Sequence, residues 1–156
     1  MTPETRFPVG IVDTSTLLVI GQLHNTDDLP RELMITAVTL AELSVGPLVA
    51  RDERERAARQ AHLQQAEADF NPLPFDAEAA RAFGRVAASL RRVGRKTSAR
   101  AYDAMIAAIA ISNNLPLFTC SPADFIGIDD LSVFSVPMPE LPHTSGPGGQ
   151  QPAELA

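Results

Sequence analysis

Short apolar runs, separated by longer stretches of helical character, divide most of this chain. We predict strands over four of these runs, at residues 9–13, 33–36, 117–119 and 131–136. Residues 73–75 are predicted to form a short edge strand, because the prolines at 72 and 74 cannot donate hydrogen bonds to a neighbouring strand.

The intervals between the strands carry helical patterns. A short amphipathic helix is predicted from Thr14, and a second helix is predicted to start near Thr39 and to carry Glu42 in its first turn. The second helix should break near Pro47, because proline disrupts helical hydrogen bonding. Residues 51–70 are rich in Ala, Glu, Arg and Gln and favour an exposed helix.

Two later helices are marked by capping residues. Asp76 is predicted to be the N-cap of a helix that stops at Gly94, and Ser98 is predicted to cap a helix over 99–112. Strands that alternate with helices over short loops predict an α/β fold, a three-layer sandwich with a mainly parallel central sheet flanked by helices. Ligands of such folds bind beyond the carboxyl ends of the strands.

Composition limits the domain count and the compartment. Residues 1–136 are expected to form one domain, and the proline- and glycine-rich residues 137–156 a disordered tail. A single cysteine, Cys120, excludes an internal disulfide. The start of the chain resembles neither a signal peptide nor an anchor, and the longest apolar run, 104–111, is too short for a membrane span. We therefore expect a cytoplasmic protein without a membrane partner.

The charge distribution is uneven. The formal net charge of -6 argues weakly against a nucleic-acid partner, because phosphate binding depends on Lys and Arg. Residues 79–102, however, contain seven basic residues and no Asp or Glu. One locally basic surface is therefore predicted, which could contact RNA or could equally be a solvated helix end.

Two acidic residues are predicted at the carboxyl edge of the sheet. Asp13 directly follows the first apolar run, and Glu42 lies near the start of the helix that follows the second. Each has a plainer interpretation. Asp13 could only cap the next helix, and Glu42 could only complete a capping box with Thr39.

Asp103 and Asp124 extend this acidic set. Asp103 is the one charged residue in an otherwise apolar helical segment, so it requires a cation or an ion pair, for which Arg100 is the nearest candidate. Asp124 follows the third strand, in a sequence that is also typical of a simple turn. Converging carboxylates repel each other unless a divalent cation neutralises them, and oxygen ligands suit Mg²⁺ or Mn²⁺. Such a site can activate water against a phosphodiester.

Four segments together resemble the PIN-domain family, and most closely the VapC toxins of VapBC toxin-antitoxin pairs. The segments are Ile11–Ser15, Thr39–Leu43 with Gly46, Tyr102–Ala108, and Leu115–Thr119 continuing through Asp124 and Phe125. The resemblance implies metal-dependent cleavage of RNA, a homodimer, and inhibition by a VapB-type antitoxin.

The resemblance also implies roles for single residues. Asp13, Glu42, Asp103 and Asp124 would bind the metal, and Thr119 would position water or a phosphate oxygen. A catalytic role is also expected for Ser121. The family often has a basic residue and then Asn where this chain has Cys120 and Ser121, so this chain departs from the family pattern at both positions. Candidate RNA contacts are Arg92, Arg95, Lys96 and Arg100.

Two other functions are compatible with parts of the sequence. A phosphotransfer or receiver domain also places Asp after the first strand, but it needs a second adjacent acid or a lysine after a later strand, and Lys96 precedes the wrong element. A PIN-like module that only binds RNA or protein is the main alternative, since a fold does not determine a function. The retained acids argue against it.

Overall fold

Four parallel strands form the centre of the computed structural model, which describes residues 7–139. The strands are β1 (Val9–Val12), β2 (Glu32–Met34), β3 (Leu117–Thr119) and β4 (Val133–Ser135), in the sheet order β2-β1-β3-β4. The helices are α1 (Thr14–Val19), α2 (Ala37–Val45), α3 (Glu53–Asp69), α4 (Ala77–Arg92) and α5 (Ala101–Ser112). Short 3₁₀ turns lie at Ile20–Gln22, Gly46–Val49, Thr97–Arg100 and Pro122–Phe125.

The register of the strands sets the position of the site. Ile11 of β1 pairs with Leu117 of β3, and Val12 pairs with Phe118. The residues that follow these pairs, Asp13 and Thr119, therefore leave the sheet side by side at its carboxyl edge.

Alternation along β1 and β3 fills two cores, one on each face of the sheet. Ile11 and Leu117 pack with the buried faces of α4 and α5, while Val12 and Phe118 pack on the other side with residues of α1, α2 and α3. Period-two alternation sends neighbouring side chains to opposite faces, so these strands are buried on both sides. The predicted α/β sandwich with a parallel sheet is confirmed.

Several predicted element boundaries are confirmed. Asp76 caps α4 by accepting a hydrogen bond from the Ala79 amide at 2.9 Å. Gly94 follows that helix with a φ of 75°, a left-handed conformation that favours glycine. The break near Pro47 is also found, since α2 ends at Val45 and a 3₁₀ turn follows.

Other predictions were wrong in detail. The helix expected from Thr39 is capped three residues earlier by Thr36, whose hydroxyl accepts from the Thr39 amide at 3.3 Å, so Glu42 lies in the second turn. Ser98 does not cap α5, because a 3₁₀ turn intervenes and no side chain caps that helix. The predicted strand at 73–75 is a single bridge between Thr36 and Leu73.

The predicted disordered tail, 137–156, lies mostly outside the described residues and stays a prediction. Among residues 7–139, no helix combines the length and the apolar character that crossing a membrane requires.

Close packing at Gly10 yields a test of the β1–β3 contact. A Cβ atom at this position would lie 2.5 Å from Cε2 of Phe118 and 3.1 Å from Cγ of Pro30. We expect Gly10→Ala to lower the free energy of unfolding in urea by about 1–3 kcal/mol through overpacking. Gly84→Ala is the matched control, because it adds a methyl to an exposed position of α4 with open space around it. It should raise stability by about 0.5–1 kcal/mol. Equal stability of the two variants would contradict this account.

Candidate active site

Asp13 anchors the carboxyl edge of the sheet. Its side chain is only 4% exposed and caps α1 by accepting from the Thr16 amide at 3.3 Å. The Thr119 hydroxyl donates to Oδ2 at 2.8 Å, and the hydroxyls of Ser15 and Thr16 also donate to this carboxylate. The capping role is therefore confirmed, and it coexists with the predicted position at the end of β1.

Thr119 joins β3 to this carboxylate. Its buried hydroxyl donates to Asp13 and accepts from the Ser121 amide at 2.9 Å. The Thr16 hydroxyl accepts from the Cys120 amide at 2.9 Å in the same way. Ser121 enters the network through its backbone, and its own hydroxyl makes no hydrogen bond to residues 7–139.

Glu42 is held by a chain of hydroxyl groups. The Thr14 hydroxyl donates to Oε1 of Glu42 at 2.8 Å, and the hydroxyls of Thr14 and Thr39 lie 2.9 Å apart. Because the single Thr14 proton is directed at the carboxylate, Thr39 donates to Thr14. The capping-box interpretation of Glu42 is wrong, since its carboxylate bonds to Thr14 rather than to its own helix start.

Burial changes the ionisation of Glu42. Desolvation raises its pKa, the Thr14 hydrogen bond acts in the opposite direction, and the Asp13 charge raises the pKa further. The charge of Asp13, at the N-cap of α1, therefore reaches the carboxylate of Glu42 on α2.

Asp103 lies in the first turn of α5 and is partly buried. Desolvation, followed by the charges of Asp124, Asp13 and Glu42, raises its pKa to about 6 against a weaker opposing effect of Arg100. The structure thus brings the other three predicted acids within electrostatic range of Asp103. The remainder of α5 is as apolar and buried as predicted, with Ala104 and residues 106–110 in the core.

Arg100 does not neutralise Asp103. Its Nη1 donates to Oδ1 of Asp124 at 2.8 Å, in a pair whose side chains are 33% and 43% exposed. The alternative in which Asp103 forms an ion pair with Arg100 is therefore wrong. Asp124 lies in the 3₁₀ turn Pro122–Phe125, where its amide donates to the Ser121 carbonyl at 3.0 Å, so its turn role is confirmed as well.

The basic stretch contacts the loop that carries Asp124. Arg95 donates to the carbonyls of Ile126 at 2.9 Å and Ala123 at 3.0 Å, and Arg92 forms an ion pair with Asp129. Three of the four arginines and lysines proposed to contact RNA are thus engaged within the protein. Lys96 makes no such contact with residues 7–139.

Sequence reasoning missed the hydroxyl groups behind the carboxylates. Thr14, Thr16 and Thr39 all hydrogen-bond directly or through one hydroxyl to a predicted acid. The run Thr14-Ser15-Thr16 directly after Asp13 is the sequence signal that could have identified two of them.

The donor set fits a divalent cation with oxygen ligands. Within residues 7–139, no three His, Cys, Asp or Glu side chains are arranged closely enough to enclose an ion by themselves. Mg²⁺ keeps several waters and commonly binds through one or two carboxylates, so mutually repelling acids beside an open cleft suit it. That cleft, of about 450 Å³, is lined by Glu42, Arg100, Tyr102 and Asp103 with part of the preceding turn.

Comparison with known proteins identifies the class of this fold and site. The PIN domain family matches residues 11–127. Ribonuclease VapC5 of Mycobacterium tuberculosis is 38% identical over 128 residues, which cover 81% of this chain and 92% of that protein. The chain therefore belongs to the PIN-domain family.

Further relatives carry the VapC name. Ribonuclease VapC of Rickettsia bellii is 29% identical over 135 residues, covering 82% of this chain and 96% of that protein. The crystal structure of VapBC-5 from M. tuberculosis, a member of the VapBC family of toxin-antitoxin systems, contains a chain with a TM-score of 0.71 and 37% identity. The match covers 83% of this chain and 99% of that one. VapBC2 of Rickettsia felis, at 19% identity and a TM-score of 0.67, shows the same fold.

Charge repulsion at Asp103 predicts a stability change without metal. A pKa raised to about 6 means that Asp103 favours folding below its ordinary value of 3.8 and loses this contribution as pH rises through 6. In chelator at about pH 7.5, Asp103→Asn should raise the free energy of unfolding by about 1 kcal/mol, solvent screening having reduced the full effect. The gain should vanish near pH 4. A lower melting temperature of the variant at the higher pH would indicate a structural ion pair instead.

The hydrogen bond from Thr14 predicts how the pKa of Glu42 responds to substitution. Thr14→Val removes the donor with little change in shape, so the pKa of Glu42 should rise further, because the hydrogen bond that lowers it is lost. Thr14→Ser keeps the hydroxyl and is the matched control. An NMR titration of the Glu42 side-chain carboxyl carbon measures both. An unchanged pKa in Thr14→Val would exclude Thr14 as the group that stabilises the Glu42 carboxylate.

Proposed function

We propose that this chain is a metal-dependent endoribonuclease, the toxin component of a type II toxin-antitoxin system. The observation that carries the proposal is the convergence of Asp13, Glu42 and Asp124 on the half-buried Asp103, whose pKa is raised to about 6 by burial first and by these three charges in addition. Such crowding destabilises a protein unless a cation compensates for it. The names of the relatives, ribonuclease VapC, support RNA as the substrate.

The four acids would hold Mg²⁺ or Mn²⁺. A bound ion supplies an activated water and compensates the negative charge that develops on the phosphodiester. Asp13 is held by hydrogen bonds from the Thr16 and Thr119 hydroxyls, and Glu42 is held by Thr14, so neither carboxylate has to reorganise on binding. Thr119 orients Asp13, and the Ser121 amide fixes Thr119 in turn.

Exposed apolar surface supports a protein partner. Leu48 is 85% exposed and lies beside the exposed Val45 and Val49. A separate groove of about 470 Å³ is lined largely by apolar side chains of α1, α2 and α3, among them Leu17 and Phe70. Monomers seldom leave such surfaces uncovered. We assign them to homodimer formation and to a VapB-type antitoxin. The likeness to VapBC-5, a member of a family of toxin-antitoxin systems, supports the antitoxin. A toxin that cleaves the RNA of its own cell would act in the cytoplasm, which is the location we propose.

The inactive binding module remains the alternative, and the intact acid set argues against it. A protein that only binds has no need to keep four mutually repelling carboxylates at one sheet edge.

Metal-dependent cleavage of RNA tests the proposal. Purified protein, incubated with mixed RNA, should cleave it with Mg²⁺ or Mn²⁺ and not with chelator. Asp13→Asn and Asp103→Asn should each lower the initial rate by at least about 100-fold, because the cation loses a ligand. Gel electrophoresis of end-labelled RNA measures the rate.

The matched control replaces a carboxylate far from the site. Glu67 is exposed on α3, so Glu67→Gln should cleave as the wild type does. Cleavage by Asp103→Asn at the rate of Glu67→Gln would refute the assigned site. RNA binding without cleavage under all metal conditions would favour the inactive module.

A further inference from the structure

Tyr102 is an exposed aromatic residue beside the acidic cluster. It is 56% exposed, directly precedes Asp103, and lines the open cleft together with Glu42, Arg100 and Asp103. Its ring stacks on no aromatic ring in the described part of the chain, although four pairs of phenylalanine rings are in contact there. An aromatic face is therefore available next to the carboxylates.

Among the residues from 7 to 139, Arg100 is the one cation that lines this cleft. A guanidinium has five N–H donors, and within residues 7–139 Arg100 uses one hydrogen bond, to Asp124. The pair is about one third exposed on the arginine side, so a solvent-accessible phosphate can reach the remaining donors. Arg92 and Arg95 also contact the loop at 123–129, but of these three arginines only Arg100 lines the cleft.

We propose that Tyr102 and Arg100 form a nucleotide subsite of the active site. Tyr102 stacks on an unpaired base, and Arg100 binds the adjacent phosphate. This inference rests on the proposed function and deepens it, because it assigns two residues beside the acids to the base and the phosphate of one nucleotide. Bases within a duplex are stacked on each other and do not offer a face to a protein side chain, whereas unpaired bases do.

The chain provides its own optical probe. Tyr102 is the only tyrosine, and the sequence contains no tryptophan, so tyrosine emission reports this one position. The experiment uses the full chain with Asp103→Asn, in chelator, so that RNA is bound without being cut. A labelled single-stranded RNA of about ten nucleotides is titrated by fluorescence anisotropy, and tyrosine emission is recorded in parallel with free tyrosine amide as the absorbance control.

Stacking should quench tyrosine emission with the same midpoint as the anisotropy change. In the same background, Tyr102→Ala should weaken binding about 10-fold, and Tyr102→Phe, which keeps the ring, should stay within about two-fold. Arg100→Ala should weaken binding, while Arg91→Ala, which changes an exposed arginine outside the cleft, should not. A duplex of the same sequence should bind more weakly than the single strand.

The outcomes separate the subsite from the enzyme. Binding with unchanged tyrosine emission, or equal affinity of Tyr102→Ala and Tyr102→Phe, would overturn the subsite. The proposed ribonuclease would stand in that case if the protein with its four acids still cleaves RNA. Failure of both binding and cleavage would refute the proposed function itself. Thermal melting of each variant checks its folding.

Discussion

The buried carboxylate of Asp13 is the interaction on which the rest of the site depends. It caps α1, accepts a hydrogen bond from the Thr119 hydroxyl of β3, and lies at the end of β1. A carboxylate with so little solvent contact requires several donors, and threonine hydroxyls and a helix amide provide them. Because those donors come from α1 and from β3, satisfying Asp13 fixes these two elements to each other, and β3 leads into the turn that carries Asp124.

Electrostatic repulsion limits how the remaining acids are placed. Glu42 and Asp103 both have raised pKa values, with burial as the largest cause and neighbouring carboxylates as a further one. The protein relieves part of this repulsion with a hydroxyl at Glu42 and with Arg100 at Asp124, and no Lys or Arg among residues 7–139 forms an ion pair with Asp103. Strain of this kind is common at functional sites, where stability is lower than the same fold could reach.

The basic stretch after α4 has a structural role that its charge alone does not indicate. Arg92 and Arg95 bind the loop that follows β3, and the Asp129 amide donates to the Ser89 hydroxyl at 3.3 Å. These contacts fix the loop that carries Asp124 to α4 and to the residues that follow this helix. Arg92 and Arg95 therefore hold the loop that carries Asp124, while Arg100 lies beside the cleft.

Local sequence determined which residues end the strands, and tertiary structure decided how they pair. The apolar run before Asp13, the apolar helix around Asp103 and the cap at Asp76 were predictable, because burial pattern and capping chemistry act over a few residues. The cap of α2 at Thr36 was not predictable in this way, since that residue is held by a bridge to Leu73, far along the chain. Two interactions depend on distances between separate elements. Arg100 pairs with Asp124 rather than with Asp103, and Thr14 donates a hydrogen bond to Glu42. Hydrogen bonds and ion pairs act over a few ångströms, so only the packed fold could decide them.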